Sequence, residues 1–277
     1  MENTQPNYLY HYTDVSSLAM ILKNKSIRFS PLTLLDDMEE EKIQDRQRYG
    51  QWVFVSSWTD SPRESIPMWR MYTSPSDGVR IKLPKNPFCV YTMQTNDFSN
   101  VKGNLPIEVS YDKLDIVIPV NDYIYSKYFL CNQKPNEILF KVNYSDDKDL
   151  LYPKVLNFKN RDIDFVISKL GIFKNTYWSF QNEWRYILFF LPISLQSIVK
   201  HQTVEQIIQN TYKNLLECME LPFNYYFLNL DKEKIKDMEI TLNPQISDGS
   251  RTIVQLLVEK YNPSAQIEES ALRGKIR

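Results

Sequence analysis

The sequence is poor in the residues that build the most recognisable catalytic and binding motifs. It has six glycines, at positions 50, 78, 103, 171, 249 and 274. None are spaced for a G-x-G-x-x-G turn or a Walker A loop, so phosphate cradling by either glycine loop is excluded. There are two histidines, His11 and His201. A zinc site of the H-x-x-x-H kind cannot be assembled, no cysteine pair has C-x-x-C spacing, and no metal is expected. The three cysteines, Cys89, Cys131 and Cys218, are odd in number and scattered. They read as reduced thiols of a cytoplasmic protein. G-x-S-x-G is absent, which argues against an ordinary α/β-hydrolase. Excess charge of either sign is lacking too: 33 Lys and Arg meet 34 Asp and Glu, a net charge of −1. No global field draws in nucleic acid or an anionic membrane, and nucleic-acid binding falls to third place, resting on local basic residues such as Arg273, Lys275 and Arg277. The longest apolar run, Ile187–Ile193, is interrupted by Pro192 and falls well short of the roughly 20 residues of a spanning helix. Met1–Tyr12 has neither a basic nor an apolar leader region, so no signal peptide is expected.

What is there is aromatic: 13% of the chain, as 18 Tyr, 14 Phe and 5 Trp. Tyr8–Tyr12 suits a short strand, and Thr13 or Asp14 can cap a helix in which Val15, Leu18, Ile21 and Leu22 recur at helical spacing. Ile27–Ser30 reads as a strand, and the charged run from Leu34 to about Tyr49 as a helix. Gln51–Trp58 reads as a buried strand. Pro67 opens a short helix carrying Trp69 and Tyr72, and Val79–Leu83 is a strand after a Pro-Ser-Asp-Gly turn. Further strands are expected at Phe88–Met93, Ile107–Tyr111, Ile138–Tyr144, Glu183–Phe190, Met238–Leu242 and Gln266–Glu268. Helices are expected at Asp122–Cys131, Lys154–Leu170, Thr203–Met219 and Ser247–Tyr261. Short strands and helices mix without regular alternation and without a linker. The expectation is a single α+β domain over residues 1–277, with mixed, mainly antiparallel sheets packed face to face and helices around them.

Four groups of residues could carry chemistry. His11 ends the first strand beside the hydroxyls of Tyr12 and Thr13, where an imidazole can bind a ribose or carbonyl; the plain alternative is a buried histidine bonded to backbone. Ser56, Ser57 and Trp58 end a buried strand, where polar groups line crevices, or simply enter a polar turn. Trp69 and Tyr72 share a helix face and could stack on a flat ring, although core packing is the commoner use. Gln181, Glu183 and Arg185 share one face of a strand, with Lys174 shortly before. They make either a functional charge cluster or a solvated strand end with a surface Glu–Arg pair. Asp36, Asp37, Glu39, Glu40 and Glu41 lack calcium-loop spacing and read as a solvated helix N-terminus.

Taken in order, Leu9-Tyr10-His11-Tyr12-Thr13, Arg28-Phe29-Ser30, Leu35-Asp36-Asp37-Met38-Glu39, Phe54-Val55-Ser56-Ser57-Trp58, Met68-Trp69-Arg70-Met71-Tyr72, Gly78-Val79, Val142-Asn143-Tyr144, Phe173-Lys174 and Glu183-Trp184-Arg185 resemble the bacterial domain-of-unknown-function family 2971. Asp36-Asp37 stands where that pattern has Asn-Asp, and Gln181 where it has Glu. The family label implies no activity. A weaker likeness is to the ADP-ribosyltransferases, through His11, Ser56-Ser57-Trp58 and Gln181-Asn182-Glu183. That likeness implies an ADP-ribosyltransferase-like fold and NAD⁺ as substrate. The chemistry implied is an NAD-consuming ADP-ribosyltransferase or glycohydrolase, a toxin or phage-defence effector with an unknown macromolecular acceptor. Glu183 would face the anomeric carbon and Gln181 the acceptor. His11, Tyr12, Thr13, Ser57, Trp58, Trp69, Tyr72 and Arg185 would hold the dinucleotide. The alternative is a module that binds a nucleotide-like ligand or a protein without turnover.

Overall fold

The computed structural model describes residues 6–45, 47–94, 97, 113–159, 162–194 and 204–276. The chain is α+β, with mostly antiparallel strands and several helices. β1 (Tyr8–Asp14), β2 (Ser26–Pro31), β3 (Val53–Thr59) and β4 (Gly78–Pro84) come first. β5 (Tyr91–Gln94), β6 (Lys113–Ile116), β7 (Phe129–Leu130), β8 (Leu139–Lys141) and β9 (Asn143–Tyr144) follow. Then come β10 (Leu156–Lys159), β11 (Asp162–Phe165), β12 (Phe173–Lys174) and β13 (Glu183–Leu191), and last β14 (Tyr226–Asn229), β15 (Glu239–Leu242) and β16 (Gln266–Glu268).

Ten strands join in one branched sheet instead of two face-to-face sheets; β5–β6, β9–β12 and β10–β11 form separate two-stranded ribbons. Among the described residues only β9–β12 and β15–β16 pair in parallel. The branch point is β3. β13 runs along β3 from Glu183 opposite Thr59 to Phe189 opposite Val53, which occupies one edge of β3 completely. The other edge is shared. β2 pairs with it at Val55 and Phe54, while β1 pairs only at Thr59. The sheet therefore forks, β2 continuing to β14 and β1 to β4, β15 and β16. The mouth of the fork lies at Ser56–Trp58.

Neighbouring side chains explain why β13 is apolar on both faces. Trp58, Trp184, Tyr186 and Leu188 pack into a cluster with Leu9, Leu18 and Leu22. Val53, Val55, Ile187 and Phe189 pack on the opposite face with Tyr49, Trp52 and Val155. A strand covered on both sides loses the inward–outward alternation of a half-exposed one. Helix α1 (Val15–Asn24) buries Val15, Leu18, Ile21 and Leu22, as its spacing predicts, and ends at Lys25 in the left-handed region. Asp14 sits at its N-cap, but the carboxylate accepts the Ser74 N–H at 2.8 Å instead of capping the helix. Helix α2 (Ile66–Tyr72) is capped by Ser65, whose hydroxyl accepts from the Met68 N–H, and buries Trp69. Gly78 starts β4 where a Cβ would meet Thr73 Oγ1 at 2.4 Å.

Three sequence expectations fail for identifiable reasons. No helix covers Leu34–Tyr49 among the described residues; a 3-10 turn at Leu32–Leu34 leads into turns. There the Asp37 carboxylate accepts the Glu39 N–H at 3.0 Å, a local bond that competes with a helix. Lys154–Leu170 is not a helix but the β10–β11 hairpin followed by a 3-10 turn at Ile167–Lys169. The Asp45 carboxylate holds its entry by accepting from the Val155 and Leu156 N–H groups at 2.6 and 3.2 Å. The helix expected over Asp122–Cys131 spans only Val120–Ile124, because Phe129 and Leu130 pair with the end of β13. The strand expected at Ile107–Tyr111, and His201, lie outside the described residues. The helix near the C-terminus forms at Asp248–Tyr261, capped by Ser247. Among the described residues no helix is long and apolar enough to cross a membrane.

Candidate functional site

The fork in the sheet opens a cavity of about 690 Å³. Strand β1 brings His11, Tyr12 and Thr13 to its wall, β3 brings Ser57 and Trp58, α2 brings Tyr72, the 3-10 turn Thr176–Gln181 brings Gln181, and the start of β13 brings Glu183 and Arg185. Gln181 therefore does not share a strand face with Glu183 and Arg185, because Asn182 turns the chain through the left-handed region between them. Residues from positions 11 to 185 thus meet in one place. Trp69 is the exception. It is buried beneath α2, its Nε1–H donates to Glu64 at 2.9 Å, and its ring meets Tyr12 edge-on. The expectation that Trp69 stacks on a ligand is corrected: packing claims the indole. Trp58 borders the cavity but is as buried as Trp69, packed on His11 and Tyr186, so the aromatic surface left is that of Tyr72.

His11 is positioned by the gap between β1 and β3. No strand among the described residues pairs with Ser57 on that edge, and the imidazole takes that place by donating Nδ1–H to the Ser57 carbonyl at 2.8 Å. The ring stacks at a tilt on Trp58, 4.9 Å between centroids. Burial pushes its pKa down, more than the Ser57 carbonyl raises it, and the charge of Arg28 adds to the lowering. The imidazole is therefore neutral near pH 7, with Nε2 left as an acceptor. The Tyr12 hydroxyl accepts the Ser65 N–H at 3.0 Å, tying β1 to α2.

At the other end of the cavity lies a charge cluster that is buried, not solvated. Glu183 is 4% exposed and Arg185 is not exposed at all. The Arg185 guanidinium donates to Glu183 through Nε at 2.7 Å and Nη2 at 3.1 Å. Its other edge is held by Glu40, through Nη2 at 2.8 Å and through Nη1, which also reaches the Gly171 carbonyl. Lys174 lies 3.2 Å from Glu40 and 3.4 Å from Glu183, and donates to Gln181 at 3.1 Å. Gln181 passes the chain on by donating to the Tyr72 hydroxyl. Two carboxylates and two cations make the cluster neutral. That neutrality is what permits burial, since an unpaired buried charge costs several kcal/mol.

These contacts set the charge states. Burial alone would raise the Glu183 pKa, but Arg185 and Lys174 outweigh it and hold the carboxylate below its usual range. Burial, together with the charges of Asp36 and Glu183, pushes the Tyr72 phenol far up. The Tyr144 hydroxyl accepts the Glu183 N–H at 2.9 Å and is pushed up to about 12, chiefly by burial. At neutral pH the buried end of the cavity thus holds the ionised Glu183 carboxylate flanked by its cations, with neutral phenols around it. Glu40 is the residue that sequence reasoning misses: it belongs to the acidic run read as solvated. The signal for it lay elsewhere, in an arginine amid an apolar strand that one glutamate only half satisfies. Asp37 from the same run is also buried, and burial raises its pKa. Among the described residues no group of His, Cys, Asp or Glu could hold a metal ion.

No curated protein and no solved structure matches the chain. The family likeness read from the sequence is shown: residues 68–186, from α2 through the Glu-Trp-Arg start of β13, match the model of the family described as Protein of unknown function (DUF2971).

Proposed function

We propose that the cavity binds NAD⁺ and that the chain cleaves its nicotinamide–ribose bond, as an ADP-ribosyltransferase or glycohydrolase. The observation that carries this reading is the convergence of His11, Ser57, Tyr72, Gln181 and Glu183 on one cavity at the fork. Each supplies something the reaction needs. His11 Nε2 accepts a ribose hydroxyl. Tyr72 offers aromatic surface to the nicotinamide ring. In the reaction the bond from ribose C1′ to the pyridinium nitrogen breaks and its electron pair leaves with neutral nicotinamide. The oxocarbenium ion that develops at C1′ is stabilised by the ionised Glu183. Water, or a hydroxyl or amine of an acceptor, then adds to C1′ and loses a proton. Gln181, held between Lys174 and Tyr72, is the residue we assign to the acceptor.

One observation favours a second reading, a site that binds such a ligand without turnover. Both Glu183 oxygens already accept from Arg185, and Lys174 lies beside one of them, so less of the negative charge is free to act on a developing cation. Incubation with NAD⁺ decides between the two. Released nicotinamide, absent from a heat-denatured control, is the outcome expected of the enzyme. Intact NAD⁺ with saturable binding overturns cleavage and leaves the binding site.

A further inference from the structure

We propose that Arg28 and the two serines beside it, Ser26 and Ser30, form an anion subsite in the cavity that takes the phosphate groups of a nucleotide. The inference deepens the NAD⁺ reading and rests on it only for the identity of the whole ligand. Among the described residues three cationic side chains reach the cavity wall: Arg28, Lys174 and Arg185. Lys174 and Arg185 are neutralised by Glu40 and Glu183. Arg28 has no carboxylate partner among the described residues, so it is the cation left to meet an anionic ligand.

Its placement is fixed by the strand and by an aromatic ring. Successive side chains of a β-strand alternate, so Ser26, Arg28 and Ser30 share one face of β2, spaced about 6.6 Å apart. The burial pattern agrees: Ile27, Phe29 and Pro31 are buried and the three polar residues are not. All three line the cavity. The guanidinium lies over the Tyr225 ring, 4.9 Å from its centroid, which holds it while leaving its N–H donors free. The hydroxyls of Ser26 and Ser30 have no hydrogen-bond partner among the described residues. A strip of donors about 13 Å long, with a planar fork at its centre, matches a phosphate or a phosphoanhydride better than it matches a neutral ligand. The charge is also felt across the cavity, since Arg28 adds to the lowering of the His11 pKa. A ligand spanning the two would place a ribose at His11 and its phosphates at β2.

The test uses ADP, inorganic pyrophosphate and adenosine as probes, with calorimetric titration of the full chain at low salt. The wild type is expected to bind ADP at least tenfold more tightly than adenosine, with the gap narrowing as salt rises. R28Q should lose most of that gap and its pyrophosphate binding, while adenosine affinity and Tm stay as in the wild type. R28K should retain part of it, because a point charge replaces the fork. Equal ADP affinity in the wild type and R28Q, or a wild type that binds ADP no better than adenosine, overturns the subsite. The outcome is separable from the NAD⁺ reading. Arg28-dependent ADP binding without nicotinamide release keeps the subsite and removes cleavage. Nicotinamide release with an unchanged KM for NAD⁺ in R28Q keeps cleavage and removes the subsite.

Discussion

Replacing Glu183 by glutamine keeps the shape of the side chain and removes its charge, with a cost to stability and, on the proposed function, a second cost to turnover. The first is to stability. Arg185 and Lys174 would face Glu40 alone, leaving the cluster with one uncompensated positive charge in a site where Arg185 is wholly buried. Breaking a buried ion pair from one side costs about 3–5 kcal/mol. With an unfolding entropy near 2.1 cal/mol/K per residue, a chain of 277 residues gains or loses roughly 1 °C in Tm for each ~0.6 kcal/mol. Glu183→Gln should therefore melt about 5–9 °C below the wild type. The second cost is to turnover, and it is read only where the fold survives. Lys174→Met combined with Glu183→Gln removes one charge of each sign and returns the cluster to neutrality. The double variant should recover at least about 2 kcal/mol over the additive expectation, a coupling of the size contacting residues show. If Glu183 stabilises the oxocarbenium ion, nicotinamide release by this refolded variant should still fall on the order of a hundredfold. Differential scanning calorimetry and nicotinamide release on the same preparations check both parts. A Glu183→Gln protein melting within about 1 °C of the wild type refutes the charge argument. A stable double variant that still releases nicotinamide at the wild-type rate refutes the catalytic one.

Three further outcomes follow from the same geometry. Glu40→Gln should lower Tm about as much as Glu183→Gln, by roughly 5–9 °C, because it removes the other carboxylate from Arg185, yet leave adenosine affinity unchanged, since Glu40 is not on the cavity wall; titration and melting test this together. Burial holds the folded pKa of His11 below the ordinary imidazole value of about 6.5, so the stability of its neutral form is complete above that value. It is lost as pH falls from about 6.5 through the folded pKa, because the unfolded chain takes up the proton first. His11→Gln should flatten the fall in Tm over that window, and a slope equal to that of the wild type there would sink the assignment. Gly78→Ala places a Cβ 2.4 Å from Thr73 Oγ1 and 2.9 Å from Asn243 Nδ2, an overpacking that should cost about 1–3 kcal/mol by denaturant titration.

The elements legible in the sequence are those in which one pattern decides. β1, α1, α2, β4 and the helix at Asp248–Tyr261 each carry a period, a cap or a turn signal that no tertiary contact reverses. Leu34–Tyr49 and Lys154–Leu170 mislead because their charges and apolar residues fit a helix as well as they fit turns or a hairpin. The deciding bonds, Asp37 to Glu39 and Asp45 to Val155 and Leu156, join side chain to backbone and leave no periodic trace. The fork itself is beyond sequence reading. It depends on β1 and β2 meeting β3 at different ends, a matter of register.

For the site, the types of residue were readable and their electrostatics were not. Glu183 and Arg185, two apart on one strand, could be a surface pair worth under about 1 kcal/mol or half of a buried network. The apolar residues on both sides of them settle this in principle: an arginine flanked by Trp184, Tyr186, Ile187 and Leu188 cannot reach solvent along the strand. A guanidinium so enclosed presents two edges, and a single carboxylate satisfies one. The second carboxylate must then come from elsewhere, and the acidic run at Asp36–Glu41 is the densest source in the chain. Which of its members turns inward follows from the turn that Asp37 makes at Glu39: it breaks the helical course, leaves Glu39 exposed to pair with Lys42, and carries Glu40 under the sheet. The buried glutamate is thus a consequence of the same local bond that defeats the helix, so the misread element and the missed site residue have one cause.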